Sequence, residues 1–110
     1  MFDMEFLENV EINNGTSYTT GKKYCVRGAV MTSMGFDFHS HLNQVSDIQK
    51  FRDEKFPVGL DAELVDIEQQ LLDNTYPSRR AEDRGALYNQ ISPENAKRLM
   101  LEVVKKYLVS

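Results

Sequence analysis

Phe2, Met4 and Phe6 alternate with Asp3 and Glu5, the two-residue period of a half-buried strand. Val10 and Ile12 repeat it faintly, and Asn13-Asn14-Gly15-Thr16-Ser17 then reads as a turn, because Asn-Gly tolerates positive φ. From Tyr24 the alternation is clearest. Tyr24, Val26, Val30, Met34, Phe36 and Phe38 occupy even positions, whereas Arg27, Ser33, Asp37 and His39 occupy odd ones, with Cys25, Ala29 and Met31 as soft exceptions. A strand usually has about five or six residues. The stretch from Tyr24 to Phe38 therefore predicts one long bent strand, or two strands joined near Thr32 to Gly35, with Gly28 and Gly35 marking a bulge, bend or break.

After His41 the period changes. Leu42, Val45, Ile48 and Phe51 recur at three-residue steps, which predicts an amphipathic helix capped by Ser40 and stopped by Phe56-Pro57-Val58-Gly59. A second helix is predicted from Ala62 to Asn74, capped by Asp61, with Leu60, Leu64, Ile67 and Leu71 as its apolar stripe and Val65 and Leu72 widening it. Thr75-Tyr76-Pro77-Ser78 ends it, and Arg79 to Gln90 is compatible with either a short exposed helix or an ordered loop. The last element carries the clearest signals. Ser92 is a good N-cap, Pro93 sits where a missing N–H costs nothing, and Lys105 and Lys106 suit the negative end of the helix dipole. Strands first and helices afterwards predict an α+β protein. A small antiparallel sheet from about residues 2–38 would carry three or four C-terminal helices on one face.

The chain of 110 residues matches a single domain, residues 1–110, with one modest core. No apolar run approaches the roughly 20 residues that a bilayer demands, and Met1 to Leu7 has acids but no bases, unlike a signal peptide. The single cysteine, Cys25, fits a reducing compartment, so a cytoplasmic location is expected. At this place in the chain it reads as a small buried hydrophobe rather than as a nucleophile paired with His39 or His41.

The net charge of −4 is unevenly spread. Residues 1–12 hold Asp3, Glu5, Glu8 and Glu11 and no base, and residues 61–74 hold Asp61, Glu63, Asp66, Glu68 and Asp73 and no base, while the rest of the chain is net positive. An acidic balance argues against direct binding of a phosphate backbone. A row of carboxylates without bases creates a negative field that speeds encounter with a positive protein. The five carboxylates of the second block are therefore the candidate partner-binding residues, although a charge run is also what a solvated helix face looks like.

Asp37-Phe38-His39-Ser40-His41 is the sharpest candidate for chemistry. On a strand, Asp37, His39 and His41 share one side, and two imidazoles with a carboxylate can hold a metal. These five residues resemble the Asp-x-His-x-His strand end of amidohydrolases and of the polymerase-and-histidinol-phosphatase family. Those enzymes are barrels of roughly 250 residues with further ligands on later strands, whereas this chain has no other histidine. Neither a resident metal nor another cofactor is therefore assigned. Arg79, Arg80 and Arg84 suit phosphate or carboxylate contacts, but Glu82 and Asp83 lie among them and make internal ion pairs the simpler role. Tyr18, Tyr24, Phe36 and Phe38 have the composition of a base-stacking surface, and core packing accounts for three of the four more simply.

The expected function is a small non-enzymatic protein that neutralises a basic macromolecule, such as a nuclease, another toxin or a defence protein. Immunity proteins, antitoxins and phage-encoded inhibitors of host defence belong to this class. Two alternatives remain at the level of sequence: a small metal-dependent hydrolase using Asp37, His39 and His41, and a subunit of a larger assembly pairing through an exposed strand.

Overall fold

The computed structural model describes residues 2–13, 19–20, 22–39, 45–72 and 91–108. Its elements, in chain order, are α1 (Met4–Asn9), β1 (Glu11–Ile12), β2 (Thr19–Thr20), β3 (Lys23–Tyr24), α2 (Val26–Ser33), α3 (Val45–Lys55), α4 (Leu60–Leu72) and α5 (Pro93–Leu108). The protein is α+β, with far more helix than strand.

Of the stretches expected as strand, Met4 to Phe6 and Val26 to Ser33 are helical, while the fainter alternation of Val10 and Ile12 falls in β1. Asp3 ends the extended backbone, and its Oδ1 accepts the Phe6 N–H at 3.1 Å, which starts α1. Helical spacing then turns Leu7 fully inward and leaves Met4 and Phe6 packed at the edge of the core. In α2 the Cys25 Sγ accepts the Gly28 N–H at 3.2 Å as N-cap. Val26, Ala29, Val30 and Met31 are all fully buried. A helix that is apolar nearly all round carries no readable period. The soft odd positions Cys25, Ala29 and Met31 were the trace of this second buried face.

Gly35 does not mark a strand bulge; it ends α2. Its φ is 105°, the Gly35 N–H donates to the Thr32 carbonyl at 3.0 Å, and the Phe36 N–H reaches the Met31 carbonyl at 3.0 Å. That pair of bonds is the Schellman closure of a helix C-terminus, which favours glycine at the left-handed position.

The strands are two residues each and lie in the order β1-β3-β2. The expected antiparallel sheet is corrected: β1 runs parallel to β3, with Glu11 opposite Lys23 and Ile12 opposite Tyr24, and only β2 is antiparallel to β3. Because residues 4–9 and 26–33 are helical, only these short segments pair among the described residues. The Asn13 N–H extends the parallel ladder to the Tyr24 carbonyl at 2.8 Å.

The helical half follows its periodicity. Leu60, Leu64, Ile67 and Leu71 of α4 are buried against Ala96, Met100 and Val104 of α5 and against α2. Ser92 caps α5 as expected, its hydroxyl accepting the Asn95 N–H at 3.2 Å. Helix α4 begins at Leu60, just ahead of the expected Asp61 cap, after Gly59 at φ 92°. Helix α3 buries none of its residues. Phe51 meets Phe36 edge-on at 5.0 Å, while Val45 of the predicted stripe points to solvent. Ser40, Leu42 and the turn from Asn14 to Ser17 lie outside the described residues, as does Arg79 to Gln90.

Candidate functional site

The acidic helix α4 is where a docking surface was expected, and its carboxylates have partners within the chain. Glu68 is only 5% exposed. Its Oε1 accepts the Arg27 backbone N–H at 2.8 Å and its Oε2 the Arg27 Nε at 2.9 Å. Arg27 stands in the first turn of α2, so Glu68 caps that helix from across the core and neutralises its one cation. Asp61 lies between two guanidinium groups, its Oδ1 being 3.8 Å from Arg27 Nη1 and 3.6 Å from Arg52 Nη1. Glu63 accepts from Lys106 Nζ and from the Tyr107 hydroxyl of α5. The Lys106 bond, then the Tyr107 bond, hold the Glu63 carboxyl below the usual carboxylate range, and the same Glu63 contact raises the Tyr107 phenol. Asp66 alone among the four described carboxylates faces water without an ion pair among the described residues; Asp73 lies outside them. The long-range bases Arg27, Arg52 and Lys106 therefore offset most of the field that the sequence suggested.

The N-terminal acids behave differently. Asp3, Glu5, Glu8 and Glu11 are all exposed, and none makes an ion pair among the described residues. Asp3 spends its carboxylate on the start of α1. Glu5 and Glu8 stand one turn apart on the solvent side of that helix.

An open cleft of about 430 Å³ lies between the end of α1 and β3. Its wall comes from Phe6 of α1, Val10 just past the helix end, Tyr24 of β3, and His39. The rings stand edge to face: Phe6 to Tyr24 at 5.5 Å and 79°, and Tyr24 to His39 at 6.5 Å and 76°. Glu11 lines the rim, with Lys22 as the opposing charge. A second cleft of about 420 Å³ lies between β1 and the start of α5, where Glu11 and Glu94 are balanced by Lys23 and Lys97.

The Asp37-x-His39 pair is not on a strand. Phe38 and His39 form a turn, and the Asp37 Oδ1 accepts the His39 backbone N–H at 2.9 Å. The shared strand face that the metal reading needed does not exist at these two positions, and His41 lies outside the described residues. Among the described residues no three His, Cys, Asp or Glu side chains stand together as a metal-binding group. Cys25 is buried, and burial followed by the neighbouring Glu68 charge pushes its thiol far above the ordinary range, which removes nucleophilic character. The aromatic residues divide into two groups. Phe36 joins Phe38 at 4.7 Å and Phe51 at 5.0 Å, whereas Tyr24 joins Phe6 and His39. Two separate clusters do not make the single row of ring faces on which successive bases stack. Tyr18, Arg79, Arg80 and Arg84 lie outside the described residues.

No family model, no curated protein and no solved structure matches this chain. Function must therefore be argued from the chemistry of these surfaces. Sequence reasoning noted the first acidic block and missed the cleft, because Phe6, Tyr24 and His39 come from segments that read as separate strands. No helix among the described residues is long and apolar enough to cross a membrane.

Proposed function

We propose that this protein acts by binding a basic protein partner and neutralising it, in the manner of an immunity protein, an antitoxin or an anti-defence inhibitor. One observation carries the reading: exposed Glu11 lines an aromatic cleft to which α1, the helix carrying exposed Glu5 and Glu8, contributes Phe6. An acidic rim steers a positive partner and an apolar recess holds an anchor side chain, the usual division between a charged periphery and a desolvated centre. Asp66 belongs to the acidic surface that remains on α4, and Asp61, Glu63 and Glu68 contribute to stability rather than to docking.

The test is affinity capture with wild type and with the triple variant Glu5→Lys, Glu8→Lys, Glu11→Lys. A basic protein retained by wild type and lost with the variant supports the reading, and its association rate should fall with ionic strength. A partner captured equally by both, or one that is itself acidic, removes it.

A further inference from the structure

We infer that the cleft between the end of α1 and β3 is a pocket for a single arginine side chain of the partner; this rests on the proposed binding of a basic protein. Three features select that chemistry. First, Phe6, Tyr24 and His39 meet edge to face, so ring surfaces border the recess from more than one direction. A guanidinium packs flat on such surfaces, because the ring quadrupole attracts cations and the planar group is weakly hydrated. Second, Glu11 stands exposed at the rim, and a carboxylate there offers the fork of a guanidinium two parallel hydrogen bonds. Third, exposed Glu5 and Glu8 add negative charge to α1, the helix that supplies Phe6 to the cleft, and among the described lining residues the one lysine or arginine is Lys22, an exposed side chain. The second cleft shares Val10 and Glu11 with the first but has no aromatic side chain among its described lining residues. An ammonium group gains less here, since it makes one point contact and keeps its water more tightly.

The experiment uses the full chain, amide chemical shifts, and two probes, acetyl-Gly-Arg-Gly-amide and its neutral citrulline counterpart. The expected result is a titratable shift confined to Phe6, Asn9 to Glu11, Tyr24 and His39 with the arginine peptide, and binding about fivefold weaker with citrulline. Glu11→Gln should weaken the arginine peptide about threefold, and Tyr24→Leu should weaken it similarly, with an otherwise unchanged amide spectrum showing that both variants are folded. Absence of shifts at the cleft, equal binding of the two peptides, or an arginine peptide that perturbs other residues instead would each overturn the assignment. The two readings fail separately. A basic protein that still requires Glu5 and Glu8 but binds Glu11→Gln and Tyr24→Leu normally removes the arginine pocket and leaves the acidic docking face. Peptide binding that persists without any basic protein partner removes the docking face and leaves the pocket.

Discussion

The two base-free acidic stretches of this chain, residues 1–12 and 61–74, look alike on paper and end in opposite situations. In α4 the carboxylates reach across to α2, α3 and α5, and Glu68 becomes a buried cap on a helix 41 positions earlier in the chain. Around α1 the carboxylates stay in water. A charge run states how many like charges lie together, and only its neighbours in space decide whether they form a field or a set of internal bonds. Charges in the second situation contribute to stability; those in the first remain available to another molecule.

The largest expected difference between the two regions is in stability. Glu68→Ala should lose about 2 kcal/mol, because it removes the charge-assisted bond to Arg27 Nε and uncaps α2, while Glu8→Ala should stay within about 0.5 kcal/mol. Denaturant unfolding of the two variants measures this. Equal behaviour would erase the contrast between the regions. A further readout is the Cys25 thiol, which should resist thiol reagents in the wild type and react faster in Glu68→Ala.

Association should show the reverse order. With the captured partner at low salt, Glu5→Lys combined with Glu8→Lys should slow association about tenfold, and Asp66→Lys about twofold, since Asp66 is the one described carboxylate of α4 without an ion pair among the described residues. Stopped-flow rates at two ionic strengths decide it. A larger effect from Asp66 would return the docking surface to α4.

Smaller effects belong to the rim of α4. Asp61→Asn should lower stability by about 0.5–1 kcal/mol, because Asp61 is nearly half exposed and its two arginines lie beyond hydrogen-bonding distance. Amide exchange in α3 should rise at the same time, as the Arg52–Asp61 pair ties α3 to α4.

The smallest effect is a matter of pH. The Glu63 carboxyl is depressed by Lys106 and Tyr107, so its stabilising contribution is present above its ordinary value of 4.5 and disappears as pH falls through the lower folded value. Tyr107 has the opposite sign: its contribution holds below 10 and is lost as pH rises through the raised phenol value. Tyr107→Phe should move the Glu63 titration upward, and carbon-detected NMR of the carboxyl would show it. An unmoved titration would mean that Lys106 alone sets it.

Much of the C-terminal half was legible in advance. Ser92-Pro93 with the apolar face of Ala96, Met100 and Val104 specifies α5, and Leu60, Leu64, Ile67 and Leu71 specify the buried stripe of α4, because an amphipathic helix displays its period wherever only one side is buried. The α+β class could also be read. The first third could not, since Phe2-x-Met4-x-Phe6 fits a strand as well as a short helix, and Val26 to Ser33 is buried on both sides. What settled them were Asp3 and Cys25 as caps and Gly35 as a terminator, local signals outweighed in the sequence by a longer apparent alternation. The aromatic cleft and the fate of Glu68 arise only in three dimensions. Hydrophobic period and capping act over a few residues and so are written locally, whereas a carboxylate's partner is chosen by which helices the core brings face to face.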